Sequence, residues 1–358
     1  MSAPSARTIV TPLNVTITCR GRPAAPMEAD MHAWSARHVP AQGGKIAVVT
    51  GANSGLGWQL AETLAAKGAT VVMGCRDAAR GAQAADAIRR LHPHARVEVD
   101  PLDLADLASI ARFAADVGER HGRVDILCNN AGVMFLPLRH TRDGFEMQFG
   151  TNHLGHFALT GQLLPALRAA RRARVVTMSS GFNRGGRIRV DDLRATQRYN
   201  RYLAYCDSKL ANLVFAIELQ RRFERAAFAG ISVAAHPGYA ATNLQFAGPA
   251  MDSSPARAAL MRAANRYLAQ PADQGALPAI HAATSPDLAG GAYIGPSGWF
   301  ESRGLPAPAS VPRAARNVAS AALLWEASEA ATGVRFLSAG APAARAPGRP
   351  FDAAAEAR

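Results

Sequence analysis

Short apolar runs alternate along the chain with longer segments that carry apolar residues at helical spacing. The short runs are rich in Val, Ile and Ala, which is typical of strands buried on both faces of a sheet. They predict strands at 45–49, 69–73, 96–99, 124–128, 174–178, 231–235 and 292–294. The segments between them predict helices at 56–67, 80–91, 104–121, 145–169, 202–225 and 273–283. This alternation predicts an α/β fold, a doubly wound single domain with a seven-stranded parallel sheet.

The two ends of the chain lack this alternation. Residues 1–30 are rich in Ala, Pro, Arg and Thr without a clear period, and the stretch after Phe336 is rich in Ala, Pro, Arg and Gly. Segments of this composition cannot bury enough apolar surface to order themselves. We therefore predict an N-terminal extension over 1–40, either disordered or upstream of the true start. The domain is predicted over 41–338, and a disordered tail over 339–358.

The net charge of +13 raises the alternative of a basic nucleic-acid-binding protein. The arginines, however, are scattered over separate loops and helix ends, as at 171–174, 184–189 and 221–222. They are not gathered with aromatic residues on one recognition helix. We therefore expect no nucleic-acid partner, and an anionic dinucleotide would account for part of the positive charge.

Hydrophobicity and cysteine usage indicate a compartment. No run of eighteen or more apolar residues occurs, and the N-terminus lacks a continuous apolar core, so neither a transmembrane helix nor a secretion signal is expected. The four cysteines form no Cys-x-x-Cys pair, and the ten histidines show no metal-ligand spacing. These features favour a cytoplasmic protein with reduced thiols and no metal site.

A glycine-rich turn joins the first predicted strand to the first helix. It reads Thr-Gly-Ala-Asn-Ser-Gly-Leu-Gly over residues 50–57. The free N–H groups and positive dipole end of a helix favour a bound phosphate, and glycines let the backbone approach it. The turn therefore predicts a pyrophosphate site formed by Gly51, Asn53, Ser54, Gly55, Leu56 and Gly57.

A tyrosine and a lysine lie four residues apart on the fifth predicted helix. Tyr205 and Lys209 should project from one face, where the ammonium is expected to lower the pKa of the phenol towards neutrality. Tyr199 and Tyr202 have no lysine at this spacing. A phenol of this kind can exchange a proton with a substrate oxygen. The alternative is an ordinary Tyr and Lys pair on a helix surface.

Three further segments lie between these two motifs: Asn-Asn-Ala-Gly at 129–132, Phe-Gly-Thr-Asn-His-Leu-Gly-His-Phe at 149–157, and Val-Val-Thr-Met-Ser-Ser at 175–180. With all five segments in this order, the chain resembles the short-chain dehydrogenase/reductases from about Lys45 to Phe336. Its details around Asn152 and Tyr205 resemble the retinol dehydrogenase and protochlorophyllide reductase-like branch. The resemblance implies a Rossmann fold and NAD(P)-dependent interconversion of a carbonyl and an alcohol.

The resemblance also implies a catalytic set of four residues. Tyr205 would act as general acid and base, and Ser180 would hydrogen-bond the substrate oxygen. Lys209 would bind the nicotinamide ribose, and Asn152 would position a water that joins Lys209 to bulk solvent. Ser180 is preferred to Ser179 because its spacing to the tyrosine matches the branch.

The cofactor contacts implied by the same resemblance lie mostly at the carboxyl ends of the strands. Besides the glycine turn, they comprise Arg76, Asp103, Leu104, Asn130, Ala131, Gly132, Tyr205, Lys209, Pro237, Gly238 and Thr242. Gly74 or Cys75 stands where an acidic residue would bind a ribose 2′-hydroxyl, and Arg76 can instead pair with a 2′-phosphate. We therefore predict NADP(H) rather than NAD(H). The alternatives are a solvated Arg76 and helix-capping roles for Asp77 and Asp103.

The segment at 244–267 and two of the predicted helices bear on the substrate and on assembly. Apolar residues between 244 and 267 recur at roughly helical spacing, consistent with a substrate lid or with a core-facing helix. With the branch resemblance, they predict a small hydrophobic carbonyl or alcohol as substrate. Many family members dimerise through the helices predicted at 145–169 and 202–225, so a homodimer is expected. A redox-inactive dinucleotide-binding regulatory protein remains an alternative, because a fold does not fix a function.

Overall fold

A computed structural model of the chain describes residues 34–239 and 270–337. Its sheet has eight strands in the order β3-β2-β1-β4-β5-β6-β7-β8. The strands are β1 Ile46–Thr50, β2 Thr70–Cys75, β3 Arg96–Pro101, β4 Ile126–Asn129, β5 Arg174–Met178, β6 Ile231–Ala235, β7 Tyr293–Pro296 and β8 Pro306–Pro308. The strand order reverses between β1 and β4, which is where ligands bind in doubly wound sheets.

Helices cover both faces of this sheet. They are α1 Gly55–Ala66, α2 Ala78–Leu91, α3 Leu107–His121, α4 Met147–Phe149, α5 Gly155–Gln162, α6 Leu164–Ala169, α7 Arg201–Arg225, α8 Ala272–Thr284, α9 Arg313–Arg316 and α10 Val318–Thr332. A π-helical segment, Gly150–Leu154, joins α4 to α5. Within the described ranges, no helix combines the length and apolar character needed to cross a bilayer.

The strands are buried on both faces because side chains alternate along them. Val49 and Met73 pack into one core, under α1, α2 and α8, whereas Val48 and Val72 pack into the other, under α3, α5 and α7. All four are fully buried. This arrangement confirms the predicted doubly wound α/β fold.

The eighth strand was not predicted. It is the three-residue β8, which pairs antiparallel with β7 at the edge of the sheet, whereas the other strands are parallel. Pro306 and Pro308 supply two of its residues. Proline cannot donate a ladder hydrogen bond and is confined to edge positions within sheets. Two prolines in three residues are therefore not a pattern that predicts a strand.

Two helices differ from their predicted bounds by more than two residues. The third helix begins at Leu107, not at 104, because the Asp106 carboxylate caps it by accepting from the N–H groups of Ala108 and Ser109. Asp103 is therefore not the cap of this helix. The helix predicted at 145–169 is divided into α4, the π-helical segment, α5 and α6.

Residues that precede the predicted start of the domain at 41 also make contacts with it. Trp34 packs edge-on against His281 of α8, with 4.9 Å between ring centroids, and Val39 is buried in the core under α1 and α8. The chain therefore packs against the domain before residue 41.

The faces of α5 and α7 are covered by the chain's own C-terminal helices. Trp325 of α10 stacks on Phe215 of α7 with 5.8 Å between ring centroids, and Phe157 of α5 meets the same indole at 5.0 Å. The Arg222 guanidinium lies 4.0 Å from the Trp325 ring centroid on the same surface. Part of the apolar surface of the two helices through which a dimer was predicted is thus buried within one chain, and the homodimer stays a prediction.

Candidate active site

The turn between β1 and α1 depends on glycine at several positions. Gly51 and Gly55 have φ angles of +64° and +55°, which a side chain would strain. A Cβ on Gly51 would lie 2.9 Å from the Cβ of Ala131, and one on Gly57 would lie 2.5 Å from the Asn130 amide nitrogen. The turn therefore packs directly on the Asn-Asn-Ala-Gly segment after β4. The predicted residues Ser54, Gly55, Leu56 and Gly57 form the start of α1.

A cleft of about 440 Å³ opens beside this turn, at the carboxyl ends of β1, β2 and β4. Predicted cofactor residues line it: Gly51, Asn53, Arg76, Asp103, Leu104, Ala131 and Gly132. Its lining combines part of the glycine-rich turn before α1, two arginines, two aspartates and apolar residues. These groups fit the pyrophosphate, the 2′-phosphate and the adenine of a dinucleotide.

A second cleft, of about 640 Å³, lies beside the connection that precedes α7. Glu146, Tyr199 and Leu203 are among its lining residues. It includes none of the predicted site residues, so we assign the cofactor to the smaller cleft.

Arg76 and Asp77 differ in their surroundings. The Asp77 carboxylate accepts a hydrogen bond from the Arg80 N–H at 3.0 Å and so caps α2, as one alternative predicted. Arg76 is exposed and lines the cleft. In the described part of the chain it forms no ion pair with an acidic side chain, so its guanidinium is available to an anion.

Tyr205 and Lys209 lie on the buried side of α7, and both side chains are 4% exposed. The Lys209 ammonium donates to the Met178 carbonyl at the end of β5, at 3.2 Å, and lies 5.9 Å from the Tyr205 ring centroid. It also lies 3.4 Å from the point that a Cβ on Gly132 would occupy. Lys209 thus connects the tyrosine to a residue of the cofactor cleft.

The two neighbouring serines after β5 have different partners. The Ser180 side chain interacts with the Tyr205 phenol and lowers its pKa. The Ser179 hydroxyl instead donates to the Lys209 carbonyl at 2.8 Å and accepts from the Asn183 amide. Ser180 is therefore the one with a hydroxyl beside the phenol.

Burial dominates the electrostatics of the pair on α7. Desolvation raises the pKa of Tyr205 to about 12, although the interaction with Ser180 opposes the shift. Burial also lowers the pKa of Lys209 to about 8. The expected lowering of the tyrosine pKa towards neutrality is therefore wrong for this arrangement, since both groups are removed from water.

Asn152 sits in the π-helical segment and is fully buried. Its amide oxygen accepts from the Val133 N–H at 2.8 Å, and its amide nitrogen donates to the Val133 carbonyl and the Ser208 hydroxyl. The side chain therefore ties the segment after β4 to α7. π-Helical turns within helices occur frequently at functional sites.

His156 connects two sequence motifs, the glycine-rich turn at 50–57 and the segment at 149–157. Its Nδ1–H donates to the Asn152 carbonyl, and its Nε2 accepts from the Thr50 hydroxyl, both at 2.9 Å. The Thr50 oxygen in turn accepts from the N–H groups of Asn130 and Ala131. Burial lowers the pKa of His156 to about 4, which keeps the ring neutral for these roles. Its position four residues after Asn152 was the signal for this contact.

The remaining predicted residues lie apart from the cleft lining. The Asn130 amide donates to the Thr50 carbonyl and so supports the turn. Pro237 and Gly238 follow β6, where the Gln270 amide donates to the Pro237 carbonyl. Thr242 and the apolar set between 244 and 267 lie outside the described residues.

Comparison with known proteins agrees with this geometry. Residues 45–250 match the family described as short chain dehydrogenase. Human retinol dehydrogenase 13 is 48% identical over 203 residues, which are 56% of this chain and 60% of that protein. Human retinol dehydrogenase 14 is 44% identical over 217 residues, 56% of this chain and 63% of that protein. The chain thus spans about three fifths of the length of the curated relatives it matches.

Solved structures share the fold. An uncharacterized protein from Mycobacterium Paratuberculosis superposes with a TM-score of 0.70 and 43% identity, over 85% of this chain and 98% of that one. Pseudomonas aeruginosa RhlG, in an active-site complex with NADP, has a TM-score of 0.55 and 27% identity over 73% of this chain and 98% of that one. The chain therefore belongs to the short-chain dehydrogenase/reductase family, and within the matched segment it is similar to retinol dehydrogenases.

Proposed function

We propose that the protein is an NADP(H)-dependent oxidoreductase that interconverts a small hydrophobic carbonyl compound and its alcohol. One observation carries this proposal: Lys209 reaches Gly132 in the dinucleotide cleft while sharing a buried helix face with Tyr205. A proton donor is thus held next to the expected nicotinamide end of the cleft. The relatives named for retinol support an apolar alcohol or aldehyde as substrate.

The cofactor would be held by groups already in position. The N–H groups at the start of α1 would bind the pyrophosphate, Arg76 the 2′-phosphate, and Asp103 with Leu104 the adenine. Lys209 would bind the nicotinamide ribose. When bound, the cofactor supplies the hydride for reduction and accepts it in oxidation.

The chain's own residues would manage the proton. Tyr205 would give its phenolic proton to the carbonyl oxygen in reduction and remove the hydroxyl proton in oxidation. Ser180 would donate a hydrogen bond to the same oxygen, where negative charge develops. The Lys209 charge would favour the phenolate left behind, and Asn152 would hold the segment around Val133 in place.

The proposed roles predict a pH dependence. Lys209 loses its proton as the pH rises through about 8, so kcat/KM for reduction should be level below that pH and fall about tenfold per unit above it. Initial rates between about pH 6 and pH 10 would measure this. In Lys209→Arg the guanidinium stays charged, so any remaining activity should lack the decline. A wild-type profile level to about pH 9.5 would contradict the role.

A panel of aldehydes, ketones and alcohols, followed by NADPH absorbance at about 340 nm, tests the function as a whole. We expect turnover of apolar members with NADPH or NADP⁺. Tight cofactor binding without turnover of any member would favour the regulatory alternative. Salt-sensitive DNA binding without cofactor binding would favour the nucleic-acid alternative.

A further inference from the structure

Two aromatic rings contact Tyr205 near the N-terminal end of α7, and a third contacts one of these two. The Phe135 ring lies 5.1 Å from the Tyr205 ring, 5.6 Å from Phe182 and 4.7 Å from Tyr202, measured between centroids. Phe182 also meets Tyr205 edge-on, at 5.9 Å. We call Phe135, Phe182 and Tyr202 the aromatic wall. It adjoins the proposed proton donor, so its rings are candidates for contact with a bound substrate.

The wall is open to solvent although the phenol is not. Phe182 is 47% exposed and Tyr202 is 50% exposed, whereas Tyr205 is 4% exposed. Phe182 follows Ser180 by two residues, and its N–H donates to the Ser180 hydroxyl oxygen at 3.3 Å. The backbone of one wall residue, Phe182, is therefore hydrogen-bonded to the serine that is proposed to contact the reacting oxygen.

Phe135 is held in an unfavourable backbone conformation. Its φ angle is +56°, in the left-handed region that non-glycine residues rarely adopt. The Phe135 N–H donates to the Gln148 side-chain oxygen at 2.7 Å, and Gln148 is fully buried. Such strain persists only where the surroundings fix it, and it concentrates at functional sites.

The connection before α7 completes this support. The Tyr199 hydroxyl donates to the Leu136 carbonyl at 2.8 Å and accepts from the Gln148 amide at 2.8 Å. The same amide donates to the Arg201 carbonyl. Gln148 and Tyr199 therefore fix the N–H of Phe135 and the carbonyl of the next residue. These hydrogen bonds hold the backbone on both sides of Phe135 and so orient its ring toward Tyr205.

We propose that Phe135, held by Gln148 and Tyr199, determines substrate specificity together with Phe182 and Tyr202. The wall selects carbonyl compounds and alcohols that carry a flat, unsaturated group next to the reacting carbon. A flat π-system gains the offset-stacked and edge-to-face contacts that aromatic rings prefer, whereas a puckered saturated ring of similar size packs on them without that additional attraction. This inference rests on the proposed function and deepens it.

Benzaldehyde and cyclohexanecarbaldehyde form a matched pair for the test, since they differ mainly in the flatness of one six-membered ring. We would measure kcat/KM for both and compare their ratio between variants, so that intrinsic reactivity cancels. Phe135→Leu and Phe182→Leu should each lower the ratio of flat to puckered substrate roughly twofold to tenfold. Leu323→Ala, an exposed residue of α10, should leave the ratio unchanged. Because Phe182 is half exposed, its variant should fold normally.

Tyr199 is a positioning residue. Its variant tests whether the orientation of the Phe135 ring, rather than the stability of the domain, determines the preference between substrates. Tyr199→Phe keeps the ring but removes the hydroxyl that fixes Leu136 and Gln148. KM should rise for benzaldehyde and stay nearly constant for cyclohexanecarbaldehyde, with kcat little changed. Equal changes for the two aldehydes would indicate a merely structural role.

The outcomes distinguish this inference from the function on which it rests. Turnover of both aldehydes with an unchanged ratio in Phe135→Leu and Phe182→Leu would overturn the aromatic wall alone. No turnover of either aldehyde would overturn the proposed reaction on this substrate pair. In that case, calorimetry with the NADP⁺-saturated protein would compare the affinities for benzyl alcohol and cyclohexylmethanol. This comparison tests the preference of the aromatic wall without requiring turnover. Tighter binding of benzyl alcohol that is lost in Phe135→Leu supports it, and equal binding refutes it.

Discussion

Tyr205→Phe is expected to lose turnover by about 10²- to 10⁴-fold, the usual contribution of a positioned general acid. The substitution removes one oxygen and keeps the ring that packs against Phe135 and Phe182. Cofactor affinity should therefore remain close to that of the wild type. Steady-state rates and a fluorescence titration with NADPH would measure the two quantities on one preparation.

A cofactor affinity equal to that of the wild type would show that Tyr205→Phe folds normally and keeps its cofactor site. Lys209→Ala should behave differently, since the lysine is proposed to bind the ribose as well as to favour the phenolate. It should lose both rate and cofactor affinity. Turnover of Tyr205→Phe near the wild-type level would remove Tyr205 from the mechanism and leave an ordinary buried tyrosine.

Arg76→Ala should weaken NADPH binding by roughly tenfold to a hundredfold, because a charge-assisted hydrogen bond contributes about 1.5–3 kcal/mol. NADH lacks the 2′-phosphate, so its dissociation constant should hardly change. Calorimetry of both cofactors against both proteins measures the difference. Arg76 and Arg80 both line the cleft, but Arg80 already pairs with Asp77 at 3.5 Å, whereas Arg76 forms no ion pair in the described part of the chain.

Arg90→Ala is the matched control for this change, because Arg90 is an exposed arginine at the far end of α2, the helix that follows Arg76. It removes an equal charge away from the cleft and should leave both affinities unchanged. Equal binding of NADPH and NADH by the wild type would mean that Arg76 is simply solvated. An equal loss in Arg76→Ala and Arg90→Ala would indicate a diffuse charge effect instead.

The strands and the glycine turn could be predicted because their signals are local. Val48 and Val49 are apolar whichever face they take, and Gly51 stands where the backbone needs a positive φ. The pKa of Tyr205 could not be predicted in the same way. A spacing of four residues indicates that Lys209 is near, but only the packed domain shows that both groups are buried.

The π-helical segment and the aromatic wall illustrate a second limit. An extra residue per turn at Asn152 leaves the apolar pattern of a helix almost intact, so the pattern predicted one continuous helix. The wall needs Phe135, Gln148 and Tyr199, which are far apart in sequence and meet only through tertiary contacts. No local spacing encodes such a meeting.

Helix α10, by contrast, carried local signals. Asn317 caps its start by accepting from the Ser320 N–H, and Gly333 ends it with a φ angle of +69°. An asparagine before the helix and a glycine after it are the usual boundary signals. No helix was predicted after residue 283, although these two boundary signals indicate α10.

The position of α10 has a consequence for biosynthesis. The aromatic face of α7 is covered by Trp325, which leaves the ribosome long after Phe215 has been made. Chains fold from the N-terminus as they are synthesised, so Phe157 and Phe215 remain uncovered on a nascent chain that already contains the whole catalytic helix. During that interval the same surface is a natural binding site for a chaperone that recognises exposed aromatic residues.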